Sequence, residues 1–209
     1  MSESKIKRKA IKIAMLGDSQ VGKTAICNSF MNIDFSDTTL STIGTEKLEC
    51  QMKIKNGEEI KVIIWDTAGQ ERFRSISLKT IKTVQGVIVV FDLMNKKSFE
   101  NVVNWLNQIN DNFQNISIIL FGNKCDVDEE KWMVTREEAQ KFADANKLKY
   151  FETSAKIKKN IQEGFENIVN TAYEKFEGSK GIKLGDVNKQ EDNGCCSGKK
   201  KRKSKKTNN

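Results

Sequence analysis

Short apolar segments alternate with stretches of helical period along this chain. Six segments rich in β-branched residues predict strands, at residues 10–16, 46–55, 59–66, 86–92, 116–122 and 148–152. Four stretches of helical period follow them, from Lys23, over 98–109, from Thr135 and over 160–176. The pair Asn56 and Gly57 predicts a hairpin between the second and third strands. Strands that alternate with helices predict an α/β fold with a mostly parallel sheet covered on both faces.

The positive charge of the chain is concentrated at its C-terminal end. Residues 197–209 contain seven Lys or Arg and no acidic residue, and taking these seven charges from the formal net charge of +8 leaves +1. A nearly neutral body gives no reason to expect a nucleic-acid partner. We predict a basic N-terminal extension over 1–8, one folded domain over 9–177, and a flexible tail over 178–209 with Cys195, Cys196 and the polybasic run.

The composition excludes several kinds of chemistry. The chain has no histidine, which excludes Ser-His and Cys-His nucleophilic catalysis and histidine-ligated metals. Its cysteines number five, which is odd, and Cys27, Cys50 and Cys125 lack metal-ligand spacing, so we expect neither a disulfide framework nor structural zinc. No apolar run reaches transmembrane length, and we expect the chain to remain in a reducing compartment, the cytosol or the nucleus.

The first strand leads directly into the sequence GDSQVGKT, which fits the pattern G-x-x-x-x-G-K-[ST]. Backbone amides of such a loop, together with the following helix N-terminus, bind phosphate oxygens. The predicted phosphate-binding residues are Gly17, Asp18, Ser19, Gln20, Val21, Gly22, Lys23, Thr24 and Ala25. Lys23 would reach the β- and γ-phosphates, and Thr24 would bind Mg²⁺. The alternative is a strand-to-helix turn without a ligand.

A second cluster, IIWDTAGQERFRS, follows about 40 residues later. Asp66 ends an apolar strand, where a carboxylate is costly unless a nearby cation such as Mg²⁺ compensates it. The amide of Gly69 could meet a γ-phosphate, and Gln70 could orient a water for in-line attack.

The third cluster, GNKCD, ends a predicted buried strand, the edge at which open parallel sheets bind ligands. The Asp126 carboxylate can accept two hydrogen bonds from the ring N–H and exocyclic amine of guanine, a pattern that adenine lacks. The sequence TSAK at 153–156 would support the base from the other side, through the Ala155 amide and the Lys156 stem. The predicted base-binding residues are Asn123, Lys124, Asp126, Ser154, Ala155 and Lys156.

In this order and spacing, the motifs resemble the Ras superfamily of small GTPases, and WDTAGQERFRSI with STIG resembles the Rab family. The resemblance covers about residues 9–177 and implies a P-loop small-GTPase domain, with a six-stranded sheet, one antiparallel strand and five flanking helices. It implies GTP or GDP with Mg²⁺, slow hydrolysis, and a monomeric switch in vesicle traffic at the cytosolic face of intracellular membranes or in the cytosol. It also implies that Thr42 completes the Mg²⁺ shell and that Phe35 lies against guanine. For Phe35 the alternative is a buried loop anchor.

No Arg or Lys occurs between Ala25 and Gly44, so the first switch cannot supply an arginine finger. Intrinsic turnover should therefore be slow, on the order of one event per hour. The resemblance implies an exchange factor, a GTPase-activating protein and effectors as partners.

The sequence departs from the usual Rab pattern at several surface positions. An aromatic residue is usual at position 47, where this chain has Lys47, and two tyrosines are usual where it has Thr80 and Ile81. Of the aromatic triad that effectors commonly contact, only Trp65 is therefore present. Thr39 replaces the tyrosine that usually covers the phosphates. Standard effectors and prenylation escorts should therefore fit poorly.

The cysteine pair in the tail lies thirteen residues before the end of the chain, whereas Rab chains end with such a pair. Three interpretations are open. The pair is S-acylated and the lysine run binds an anionic membrane; the run is a nuclear-import or RNA-binding patch; or the tail is an unanchored extension. For the whole chain, the alternatives to a GTPase switch are a guanine-nucleotide-dependent scaffold and a P-loop nucleotide kinase or ATPase.

Overall fold

The computed structural model describes residues 9–34, 45–67, 83–113 and 115–181. Its six strands are β1 Ala10–Leu16, β2 Thr45–Lys53, β3 Glu59–Thr67, β4 Gly86–Asp92, β5 Ser117–Asn123 and β6 Lys149–Glu152. They form one sheet in the order β2-β3-β1-β4-β5-β6. Strand β2 is antiparallel to β3, and the other pairings are parallel. The predicted six-stranded sheet with one antiparallel strand is confirmed.

Five α-helices flank the sheet in the part of the chain that the structure describes. They are α1 Lys23–Phe30, α2 Lys96–Glu100, α3 Val102–Asn112, α4 Arg136–Ala145 and α5 Ile161–Gly181. None of the helices in these ranges is long and apolar enough to cross a lipid bilayer.

Two helices differ from the sequence prediction. The single helix predicted over 98–109 is split at Asn101 into α2 and α3, and α2 begins earlier because the Asn95 side chain accepts a hydrogen bond from the Ser98 amide. The last helix was predicted to end at residue 176, but α5 continues to Gly181. Extending an existing helix adds one backbone hydrogen bond per residue, so a polar sequence without apolar period can continue it.

The sheet has a hydrophobic core on each face. On one face, α1 and α5 pack through Ile26 and Phe165 over Ile13 and Met15 of β1. On the other face, α2, α3 and α4 cover the sheet, with side chains such as Phe99, Leu106 and Ala139 against Ala14 and Phe91. Consecutive residues of β1 thus serve opposite cores, as strand geometry requires.

The parallel strands place their C-terminal ends at one edge of the sheet. The loop at residues 17–22 follows β1, Asp66 lies near the end of β3, and the segments at 124–126 and 153–156 follow β5 and β6. The three chemistry-bearing clusters of the sequence therefore meet at this edge, where open α/β sheets bind ligands.

Candidate nucleotide-binding site

The loop between β1 and α1 requires glycine at two positions. Gly17 has φ +141°, and a Cβ there would lie 2.1 Å from the Val90 carbonyl oxygen. Gly22 has φ +94°, and a Cβ there would lie 2.3 Å from Nδ2 of Asn123. The loop also holds Gln20 at φ +64°, a conformation that non-glycine residues rarely adopt. This tight path brings successive backbone amides into one short loop before α1, as a phosphate-binding nest requires.

Lys23 is buried beneath this loop, with 5% of its surface exposed. Its Nζ donates hydrogen bonds to the carbonyl oxygens of Gly17, at 3.0 Å, and of Asp18, at 2.7 Å. Burial lowers the pKa of Lys23 to about 8, although the nearby Asp66 and Asp18 carboxylates favour its charged form. Because burial penalises the ammonium, an anionic ligand at the loop would relieve this cost.

Thr24 and Asp66 form a pair of oxygen donors beside Lys23. The Thr24 hydroxyl donates to Oδ2 of Asp66 at 2.5 Å, and Asp66 is only 1% exposed. Its other carboxylate oxygen, Oδ1, is buried and has no hydrogen-bond partner within the described ranges. Burial raises the pKa of Asp66, and the Thr24 hydrogen bond partly opposes that rise. A hydroxyl and a buried carboxylate oxygen are the hard donors that Mg²⁺ prefers, so this pair fits the ion.

The segments after β5 and β6 are joined by hydrogen bonds. The Cys125 amide donates to the Thr153 carbonyl at 3.0 Å, and the Thr153 amide donates to the Gly122 carbonyl at 2.8 Å. The Ser154 hydroxyl donates to Oδ1 of Asp126 at 2.6 Å. Ser154 therefore orients the carboxylate that was predicted to select the base.

The base segment is also tied to the phosphate loop. Asn123 donates from Nδ2 to the Val21 carbonyl at 2.8 Å, and Lys124 forms an ion pair of 2.5 Å with the buried Asp92. Through these contacts, Asn123 and Lys124 connect the base segment to neighbouring segments of the site. Sequence reasoning missed Asp92, which ends β4 and also accepts the Met94 amide through Oδ1 at 2.9 Å.

Of the remaining eight predicted site residues, four lie within the described ranges and four do not. Ser19 and Lys156 are exposed, Ala25 is half-buried in α1, and Ala155 is buried. Four lie outside the described residues, namely Phe35, Thr42, Gly69 and Gln70.

Two further side chains touch the phosphate loop from α3 and its N-terminal flank. Asn101 donates from Nδ2 to Oδ2 of Asp18 at 2.6 Å, and Trp105 donates from Nε1 to Oδ1 of Asp18 at 2.9 Å. Asn101 and Trp105 are separated from Asp18 by 83 and 87 positions in the sequence. No local pattern in the sequence indicates this contact.

Comparison with known proteins gives a consistent family. A sequence model described as the Ras family matches residues 12–174. The chain is 40% identical over 158 residues to Ras-related protein Rab-13 of Rattus norvegicus, which covers 75% of this chain and 77% of that protein. It is 40% identical over 159 residues to Ras-related protein Rab-10 of Diplobatis ommata, covering 74% and 76%. It is 35% identical over 202 residues to Ras-related protein RABE1e of Arabidopsis thaliana, covering 90% and 92%.

These similarities extend across the phosphate loop, the Asp66 strand and the base segment, all of which lie within residues 12–174. They do not favour the scaffold that binds nucleotide without hydrolysing it. The chain belongs to the Rab family of Ras-related small GTPases, which bind and hydrolyse GTP as switches in vesicle traffic.

Proposed function

We propose that this Rab protein binds GTP or GDP together with Mg²⁺ at the edge formed by the loops after β1, β3, β5 and β6. The observation that carries the proposal is the buried Asp66 carboxylate, with one oxygen on Thr24 and the other without a hydrogen-bond partner among the described residues. Thr24 and Asp66 would hold the ion, which when bound neutralises negative charge on the phosphates.

The chain's own groups would bind the rest of the nucleotide. The loop amides and the Lys23 ammonium would take the phosphates, and the ammonium would exchange carbonyl acceptors for phosphate oxygens as it does so. Asp126, oriented by Ser154, would accept the two guanine N–H groups. The Ala155 amide and the Lys156 stem would support the base from the other side.

Four further roles fall on residues outside the described ranges, two of them assigned from the second sequence cluster and two from the family resemblance. Gln70 would orient the attacking water, and Gly69 would donate its amide to the γ-phosphate. Thr42 would complete the Mg²⁺ shell only when that phosphate is present, which couples the loaded state to the shape of the first switch. Phe35 would lie against the guanine face.

Release of labelled GDP with and without a Mg²⁺ chelator tests the metal site. In the wild-type protein, removing Mg²⁺ should speed GDP release at least tenfold, because the phosphates lose a bound cation. Asp66→Asn should release GDP at about the chelated rate whether or not Mg²⁺ is present. Asp128→Asn is the matched control, since Asp128 is an exposed carboxylate paired with Lys131. A Mg²⁺ effect in Asp66→Asn equal to that in the wild type would contradict the assigned site.

Rab proteins act with exchange factors, GTPase-activating proteins and effectors, and we propose that the effector surface of this one is altered. Lys47 of β2 lies directly opposite Trp65 of β3 and forms an ion pair with Glu49. A charged, paired side chain therefore stands beside the one aromatic residue that remains of the usual triad. An effector for this protein should present an acidic or polar group to Lys47, and Lys47→Phe should weaken its binding.

We also propose that the tail attaches the protein to the cytosolic face of an intracellular membrane, through S-acylated Cys195 or Cys196 and the polybasic run. The support is compositional, since a lipid chain and a cluster of basic residues are the two signals that stable anchoring needs. Intact-mass measurement of the protein from its native cell, with membrane fractionation, tests this. A lipid mass on the wild type would support the proposal if the double variant Cys195→Ser with Cys196→Ser loses both that mass and its membrane association. An unmodified protein in the soluble or nuclear fraction would overturn it.

A further inference from the structure

The phosphate loop carries a carboxylate at a position where negative charge is unfavourable. Asp18 directly follows Gly17, and its carbonyl oxygen accepts a hydrogen bond from the Lys23 ammonium at 2.7 Å. A free carboxylate in a loop that binds phosphate would repel the ligand. In this structure both carboxylate oxygens are instead engaged by donors outside the loop, on Asn101 and Trp105.

The two donors lie one helical turn apart. Asn101 is the residue before α3 and Trp105 belongs to its first turns, with the Trp105 amide donating to the Asn101 carbonyl at 3.2 Å. Residues at this spacing occupy one face of a helix. The Asp18 carboxylate therefore meets the N-terminal end of α3, where the helix dipole also favours negative charge.

Helix α3 is a rigid support for this contact. Val102, Leu106 and Ile109 of α3 are buried in the core on that face of the sheet, and the Trp105 ring packs against the same core. Movement of Asn101 or Trp105 would therefore require repacking of that core. Lys23 holds the loop from one direction through backbone carbonyls, and α3 holds it from another through the Asp18 side chain.

We propose that Asn101 and Trp105 are positioning residues for nucleotide binding, which hold the phosphate loop in its binding shape through Asp18. This inference rests on the proposed function of the site. It extends the functional site to α3, a helix that carries none of the predicted nucleotide-binding residues. The loop amides are then pre-organised before the nucleotide arrives, so their orientation is not lost and regained at each exchange.

Release of labelled GDP from the Mg²⁺-loaded, full-length protein tests the proposal. Trp105→Phe removes the indole N–H and keeps an aromatic ring, and Asn101→Ala removes the amide. Each should speed GDP release about tenfold, the effect of one hydrogen bond to a charged group. Asn112→Ala is the matched control, because Asn112 is exposed at the far end of α3 and its Nδ2 donates to the Gln108 carbonyl in the same helix. Its release rate should stay within about twofold of the wild type.

The readout that separates positioning from general destabilisation is non-additivity with Asp18→Ala. If Asn101 and Trp105 act through Asp18, then Trp105→Phe should add nothing to the release rate of Asp18→Ala. Asn101→Ala in the Asp18→Ala background gives the same test should Trp105→Phe not fold. Wild-type release rates in both single variants would overturn the inference, and so would additive effects with Asp18→Ala. A wild-type protein that fails to retain GDP would instead refute the proposed function itself.

Discussion

Replacing Gly17 with alanine tests the geometry of the phosphate loop most severely. The added Cβ would lie 2.1 Å from the Val90 carbonyl oxygen and 3.1 Å from the Val90 carbonyl carbon. Val90 lies inside β4, which is buried along its whole length and paired with both β1 and β5. The obstacle is therefore backbone in the centre of the sheet, and no side-chain rotation can relieve the overlap.

The expected cost has two parts. A non-glycine residue at φ +141° is strained by about 1–3 kcal/mol. The overlap with β4 adds about 1–3 kcal/mol, as overpacking of a core does. Alanine returns about 0.5–1 kcal/mol by restricting the unfolded chain. The net loss of unfolding free energy should be about 3 kcal/mol, a large part of the stability of an ordinary domain.

Gly57→Ala provides the matched comparison. Gly57 lies in the β2–β3 hairpin with φ +88°, and among the described residues, its two chain neighbours aside, none lies within 4 Å of a Cβ placed there. Only the conformational strain applies, so the loss should be about 1 kcal/mol. Urea unfolding of both variants without nucleotide measures the difference. A Gly17→Ala protein that is destabilised no more than Gly57→Ala would refute the close contact with Val90.

Three further predictions concern single side chains. The Tyr173 hydroxyl accepts from Lys9 at 2.8 Å and donates to Glu58, and it is the leading cause of the lowered pKa of Glu58. Tyr173→Phe should therefore lower the urea midpoint at neutral pH, and the midpoint should decline less as the pH falls below 4.5. An unchanged pH profile would argue against the hydrogen bond between Tyr173 and Glu58 as a source of stability. The pKa of Lys23 is lowered from 10.5 to about 8 in the free protein, so calorimetry should show GDP affinity falling above pH 8. Between pH 8 and 10.5 the nucleotide-free fold should become more stable, because only the unfolded chain still holds this proton. Lys23→Arg, which stays charged, controls for titration of guanine, and equal slopes for both proteins would contradict the prediction. Asp126→Ala should lower GTP affinity at least about 100-fold and leave weak ATP binding unchanged, and an equal loss for both nucleotides would disprove base selection by this carboxylate.

Local sequence patterns predicted most of the secondary structure because local forces determine it. The runs at 10–16 and 86–92 match β1 and β4 residue for residue, since both runs are mostly apolar and are bounded by polar or glycine residues. Thr135, predicted to open a helix, is the N-cap of α4 and accepts the Glu138 amide at 3.2 Å. The site residues met at one sheet edge because parallel strands end there together.

What the sequence could not indicate are contacts between distant segments. Only the order of the strands in the sheet brings such segments together. Examples are the hydrogen bond from Asn101 to Asp18, the ion pair of Lys124 with Asp92, and the hydrogen bond from Asn123 to the Val21 carbonyl. The split at Asn101 is likewise invisible in an amphipathic period, because the apolar positions continue on both sides of it. Hydrophobic spacing reports which face of an element is buried and carries no information about its polar partners.

Single-turnover hydrolysis with purified protein tests most directly whether this chain hydrolyses GTP. The wild type should convert bound GTP to GDP and phosphate in the presence of Mg²⁺, with a rate on the order of one event per hour. Gln70→Leu should slow this at least tenfold while GTP stays bound, because the attacking water is no longer oriented. A wild type that retains GTP without hydrolysis would contradict the GTPase activity, and a rate that Gln70→Leu leaves unchanged would contradict the role of Gln70.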